Sequence, residues 1–179
     1  FDGVVLACTA TEAARLTTDL APGWAQTAQR LAYQPIVTVY LSDPDLRLPQ
    51  PMLALPAGPA APAQFVFDLG ALDGAAGHFA FVVSGAGPAL AQGLAGCGQA
   101  VLAQARTVFR GAFLAPDAAV LRHLSAERRA TFACTPGLDR PAQVIAPGLV
   151  AAGDYLAGPY PATLESAVRS GEAAASELG

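Results

Sequence analysis

The sequence predicts an α/β chain carrying an α+β insertion, and three observations predict it. Both ends read as a strand followed by a helix: Val4 to Cys8 is a continuous apolar run ahead of one helical segment, and Gly148 to Ala152 runs into Gly153-Asp154 ahead of another. Between them lie several β-branched or aromatic runs parted by turn residues, as hairpin-connected strands are. The one long helical pattern in this middle part covers Pro88 to Phe109. Ends that match in type around a middle that differs predict that the flanks return to one parallel sheet. The middle is then a mainly antiparallel sheet with helices.

Composition bounds the function. Hydrophobic residues make up 53% of the 179 and charged residues 13%, enough for a real core. Ten arginines face 14 acids for a net charge of -4, and no basic stripe marks a nucleic-acid surface. Cys8, Cys97 and Cys134 are odd in number and lack a Cys-x-x-Cys, which argues against a disulfide framework and a structural zinc site and for a reducing compartment. No signal-peptide pattern opens the chain. Despite a mean hydropathy of +0.40, every apolar run is interrupted well short of the roughly 18 residues a spanning helix needs. A cytoplasmic protein is expected, with peripheral contact at the inner membrane as an option. Phe1-Asp2-Gly3 leads almost directly into a β run, so the chain reads as a fragment of a longer protein whose upstream part is missing.

Taken in order, Val4 to Cys8 has the character of a strand buried on both faces. Thr9 or Thr11 can cap a helix to about Leu20, on whose apolar side fall Ala13, Ala14 and Leu16. Pro22-Gly23 reads as a breaker before a short helix over Trp24 to Leu31. Ile36 to Leu41, β-branched and aromatic, is the strongest strand signal in the sequence. The proline-rich stretch from Ser42 to Ala63 predicts a long irregular connection with one short strand at Met52 to Leu55. Gln64 to Asp68 and Phe79 to Ser84 are two further strands joined by Gly/Asp turn material. The helix over Pro88 to Phe109 carries Gly93, Gly96 and Gly98, each unfavourable in a helix interior. Ala118 to Leu124 reads as a strand that Arg128 to Phe132 continues.

The C-terminal stretch carries the chemistry. Leu149-Val150-Ala151-Ala152 ends in Gly153-Asp154-Tyr155, a Gly/Pro-rich loop follows, and helical spacing begins after Pro161. Leu164, Ala167, Val168, Gly171, Ala174, Ala175 and Leu178 give one apolar stripe of mostly small residues. The free N–H groups and the dipole of a helix start suit anionic or carbonyl-oxygen ligands. Gly-Asp-Tyr, followed by Tyr160-Pro161-Ala162-Thr163-Leu164-Glu165-Ser166-Ala167-Val168-Arg169-Ser170-Gly171, resembles the C-terminal flavin-binding segment of the FAD-dependent amine oxidase and phytoene desaturase superfamily. Within it the segment looks most like the squalene-associated desaturases, that is, hydroxysqualene dehydroxylase of hopanoid biosynthesis.

The resemblance implies a division of the chain. Residues 1–20 would be a βα piece of a Rossmann-like FAD-binding domain, 21–145 a substrate domain, and 146–179 the returning FAD-binding strand and helix. Asp154 would be the acidic FAD contact and the Leu164 amide would meet the flavin C2 carbonyl. Thr163 would face the flavin, and Gly153 and Ala162 complete the cofactor-binding set. The implied cofactor of the full-length protein is FAD and the implied partner a small apolar isoprenoid. The implied reaction is delivery of a hydride from reduced flavin to the carbon of hydroxysqualene that loses its hydroxyl. The alternatives are a carotenoid desaturase or an amine oxidase, and, from another class, a non-catalytic apolar-ligand-binding domain. Threonine at 163 disfavours the amine reading, because amine oxidases often carry an aromatic residue there. The family's dinucleotide fingerprint is not in this chain, so the fragment is expected to be without FAD and inactive alone.

Other constellations fall short. Ser84-Gly85-Ala86-Gly87-Pro88-Ala89-Leu90 suggests Gly-x-Gly-x-x-Gly, but Leu90 stands at the third glycine and no acid follows at ribose distance. Ser84 also lacks the preceding glycine of a nucleophile elbow. His78, in a turn, and His123, facing outward on a strand, have no Glu or Cys at ligand spacing, so no metal site is expected. The cysteines read as small apolar residues, and no catalytic residue can be assigned. Phe65 with Phe67, and Phe79 with Phe81, each share a strand face. One such face could line a tunnel for a polyprenyl chain, and the sequence leaves open which is buried.

Overall fold

The computed structural model describes residues 1–110 and 119–179. In chain order the first elements are β1 (Val4–Leu6), α1 (Ala10–Thr17), α2 (Pro22–Gln29), β2 (Tyr33–Ser42), β3 (Met52–Ala54) and β4 (Phe65–Asp68). Then come β5 (His78–Ser84), α3 (Gly87–Leu90), α4 (Leu94–Val108), β6 (Val120–Phe132), β7 (Val144–Ala146), β8 (Leu149–Ala151) and α5 (Leu164–Leu178). They form two compact units, Phe1–Tyr33 with Thr131–Gly179, and Gln34–Ala130. The fold is mixed α/β with an antiparallel sheet in its middle part, as the sequence predicts.

The first unit is built on a three-stranded sheet of order β1-β8-β7. β1 runs parallel to β8, pairing Val4 with Leu149 and Leu6 with Ala151. β7 pairs antiparallel with β8 across Pro147-Gly148, and Gly148 takes φ 72°, as the third residue of a tight turn after proline requires. The sequence predicts β1 buried on both faces, yet Val4 and Val5 stay 47% and 42% exposed. Among the described residues β1 is the edge strand of this sheet, and neither face at Val4 or Val5 is fully covered. Thr9 caps α1, its hydroxyl accepting the Glu12 N–H at 3.4 Å, and the helix ends at Thr17, short of Leu20. Pro22-Gly23 opens α2 instead of breaking the chain, because proline in a first turn loses no helical hydrogen bond. Ala10, Ala13 and Ala14 of α1 share a buried cluster with Ala25 and Ala28 of α2, which alanine's lack of bulk allows.

The second unit is a five-stranded sheet of order β3-β4-β5-β2-β6, antiparallel wherever β2 to β5 pair. Val39 lies opposite Phe81, and Phe81 opposite Val66. All three are on the face buried in one cluster with Cys97, Val101 and Ala105 of α4. Phe79 also lies on this face, so the aromatic question resolves. Phe79 and Phe81 are core, while Phe65, 39% exposed, and half-buried Phe67 lie on the opposite face with Val82 and Thr38. The helix predicted over Pro88 to Phe109 is two, parted at Gly93 with φ 83°. Gly98 stays inside α4, where a Cβ would come within 2.7 Å of Leu124 Cδ2 and 2.9 Å of Leu121 Cδ1, so glycine lets the helix close on β6. The strand predicted from Ala118 begins at Val120 and continues unbroken to Phe132; Ala118 itself lies outside the described residues. His78 is the first residue of β5 and not part of a turn. No helix among the described residues is long and apolar enough to cross a membrane.

Candidate functional site

The chain leaves β8 at the C-terminal ends of two parallel strands, where open α/β sheets place their ligands. Ala152 N–H donates to the Leu6 carbonyl at 3.0 Å, so this corner is locked to β1. Gly153 follows, its N–H held by Ser170 Oγ at 2.8 Å. Tyr155 and Leu156 then turn into the core, each 2% exposed, and anchor the start of the loop. The tyrosine ring lies against Gly153, where a Cβ would stand 2.4 Å from Tyr155 Cε1. Any larger residue at 153 would displace the ring. The loop closes on itself when the Ala162 N–H donates to the Asp154 carbonyl at 3.2 Å.

That closure brings Gly153, Asp154, Ala162, Thr163 and Leu164, the five residues singled out in the sequence, to one place. It is strained. Tyr160 and Ala162 take φ of 60° and 56°, a left-handed conformation costing on the order of 1–3 kcal/mol for a non-glycine residue. Thr163, extended at φ −128°, is the N-cap of α5: its hydroxyl accepts the Ser166 N–H at 3.1 Å and donates to the Tyr160 carbonyl at 2.6 Å. The Thr163 carbonyl takes the Ala167 N–H at 3.2 Å. The helix thus starts at Leu164, with Pro161 ahead of the cap and not in the first turn, and the Leu164 and Glu165 amides are its donors to anything in front of it.

The apolar stripe of α5 needs correction. Ala174 is buried, and Ala167, Gly171 and Leu178 are partly so, but Leu164 is 87% and Val168 58% exposed and Ala175 also faces out. Two serines on the inward side, Ser166 and Ser170, take part in the packing that the stripe assigned to leucine and valine. Ser170 Oγ lies 2.8 Å from the Ala167 carbonyl and 3.1 Å from that of Gly153, which share its single proton. Gln143 Nε2 donates to the Ser170 carbonyl at 2.9 Å.

Burial pushes the Asp154 carboxyl above its ordinary value, with a hydrogen bond to its own backbone opposing the rise. The Tyr155 hydroxyl is buried without a hydrogen-bond partner, and burial drives its pKa strongly upward. Arg169 pairs with Glu165 at 2.5 Å and lies 5.0 Å from the Tyr160 ring centre, over the loop. Ser170, Gln143 and Arg140, which reaches the loop from the segment before β7, are the residues sequence reasoning misses. Ser170 stands in the quoted Arg-Ser-Gly motif, and its position one helical turn past Ser166 was the available signal. By contrast, Ser84-Gly85-Ala86-Gly87 forms a turn into the four-residue α3, with the Ser84 backbone gripped by the Gln64 side chain at 2.8 and 3.3 Å. No group of three or more metal-ligating side chains occurs among the described residues.

The family described as flavin containing amine oxidoreductase matches residues 1–179. The chain belongs to that family. No curated protein matches it. Among solved structures, an oxidoreductase from Methanosarcina mazei is similar at a TM-score of 0.71 and 14% identity, over 98% of this chain and 43% of that one. A candidate protoporphyrinogen oxidase from Exiguobacterium sp. 255-15 is similar at a TM-score of 0.61 and 16% identity, over 98% of this chain and 41% of its own. At such identities the likeness concerns the fold, which this flavin amine oxidoreductase family member shares with them. The chain spans about two fifths of the length of these structures.

Proposed function

We propose that this chain is the C-terminal flavin-facing part and substrate unit of an FAD-dependent oxidoreductase acting on a squalenoid, with reductive dehydroxylation of hydroxysqualene to squalene as its reaction. The observation that carries the flavin side is the loop that closes from Asp154 to Ala162 at the end of β8 and delivers the start of α5 beside it. The residues present fit the cofactor. The partly buried Asp154 carboxyl receives no hydrogen bond from another described side chain and can accept the hydroxyls of a ribityl chain. The Leu164 and Glu165 amides are free to donate to a ring carbonyl, and the exposed Leu164 side chain leaves the approach to them open. FAD, when bound, supplies the hydride chemistry.

This chain's own residues then have three tasks. Asp154 binds and orients. The first turn of α5 presents two donors at a fixed spot, held there by the Thr163 cap. The face of the second unit that carries Phe65, Phe67 and Val82 offers an apolar surface for an isoprenoid chain, which supports assigning Gln34–Ala130 to the substrate. Thr163 supports an isoprenoid over an amine, since no aromatic wall stands there for an amine cage. A peripheral contact with a membrane would suit so apolar a substrate.

The test is an absorbance scan of the full-length protein as purified, followed by anaerobic incubation with hydroxysqualene and a reductant. Bound flavin with conversion to squalene is expected. Bound flavin without conversion would return the substrate to the carotenoid or amine alternatives. Absence of flavin, with saturable squalenoid binding, would favour the non-catalytic apolar-ligand domain.

A further inference from the structure

The loop between Asp154 and Thr163 is closed at its far end by its own bonds, but its near end is held from outside. Arg140 Nη1 donates to the Leu156 carbonyl at 2.6 Å and Nη2 donates to the Gly158 carbonyl. The next residue joins in: the Pro141 carbonyl accepts the Ala157 N–H at 2.9 Å, and Pro141 is among the fully buried side chains. Three bonds therefore fix three consecutive loop residues to one short, anchored segment. Among the described residues no carboxylate pairs with Arg140, and its guanidinium donates to two carbonyls of the loop backbone. A planar guanidinium can span two carbonyls in parallel; an ammonium, with its donors on one atom, cannot. Immediately beyond Gly158 come the left-handed Tyr160 and Ala162, which persist only where the surroundings over-determine them.

We propose that Arg140 is a positioning residue that sets the Leu156–Gly158 stem of the loop and, through it, where the first-turn amides of α5 meet the flavin. The proposal rests on the flavin reading above. Arg140 touches neither cofactor nor substrate in this role. It acts through the loop: with the stem released, the Ala162 to Asp154 bond and the Thr163 cap lose the frame that holds them in register, and the helix start shifts relative to Asp154.

The experiment uses the full-length protein, with Arg140→Lys and Arg140→Gln compared with wild type and with Arg30→Gln as an exposed control. Three quantities are read: the FAD dissociation constant, the flavin midpoint potential, and deuterium exchange of the Ala157, Gly158, Tyr160 and Ala162 amides. The expected result is an FAD affinity about tenfold weaker in both variants, the worth of one misplaced amide donor to the ring, together with a lower midpoint potential and faster exchange in the loop. A donor displaced from a ring carbonyl stabilises the reduced, more anionic ring less, so the potential falls. Arg140→Lys keeps charge and most of the volume and serves if Arg140→Gln does not fold. Wild type with flavin, and variants with unchanged affinity and potential, would overturn the positioning role while leaving the flavin reading intact. Wild type without flavin would overturn both.

Discussion

At Asp154 the environment opposes the charge that its proposed role requires. Its folded-state carboxyl titrates above the unfolded value because of burial, so the folded chain holds the proton more tightly. Stability is then lost as pH rises through that window, and the loss is complete once the pH exceeds the folded value. Asp154→Asn removes the ionisation. It is expected to unfold at the same or a higher temperature than wild type at neutral pH and to flatten the decline across the carboxylate range, while binding of FAD by the full-length protein weakens. A variant less stable at neutral pH would mean that the ionised carboxylate is held by a favourable contact. Tyr155 is the companion case: its buried hydroxyl has no partner, and Tyr155→Phe is expected to raise stability by up to about 1 kcal/mol in denaturant unfolding. A loss of that size would sink the idea that the hydroxyl is orphaned. The place of Asp154 is legible in the sequence because a strand ending in Gly-Asp is a local pattern. The partners of the loop are not, because Arg140, Gln143 and Ser170 bind main-chain carbonyls and amides, which look alike at every position.

Elements were readable where one local rule dominates. β2 follows from a β-branched run, and the α1 start from a threonine cap, Thr9 of the two candidates, whose hydroxyl accepts the amide three residues on. At α5 the spacing after Pro161 predicts the helix, and the Thr163 cap emerges only in the structure. Thr163→Ala is expected to cost about 1 kcal/mol, the usual worth of such a cap, measured by thermal unfolding. It should cost FAD affinity as well, since the Tyr160 carbonyl loses its donor too. Unchanged stability would show that the first turn of α5 is held by the loop alone. Where a residue serves two rules the sequence misleads. Gly93, Gly96 and Gly98 look equally disruptive, but only Gly93 has a positive φ and stands outside a helix, at the N-cap of α4, whereas Gly98 is there to admit two leucines of β6. In α5, periodicity counts apolar residues and overlooks that serine can face inward when a backbone group one turn away takes its hydroxyl.

For the whole molecule, two clusters of buried residues imply two cooperative blocks. The single tryptophan belongs to one of them: Trp24 Nε1 donates to the Ala142 carbonyl at 2.7 Å, within the first unit. Its fluorescence is expected to follow that unit alone, while far-UV circular dichroism follows both, so the two unfolding curves should not coincide. Coincident curves would mean that the chain unfolds as one block. That an antiparallel body interrupts an α/β one was legible because strand type changes along the chain. The points at which the chain passes from one unit to the other were not, since they are fixed by contacts between distant residues. Beside both of them, within the first unit, the Ala133 N–H donates to the Ala32 carbonyl at 2.7 Å. The stretch of chain between these two alanines therefore begins and ends at neighbouring points. A short glycine-serine bridge could replace Gln34 to Ala130 without stretching what remains, and the loop from Asp154 to Ala162, which belongs wholly to the other unit, would keep its own bonds.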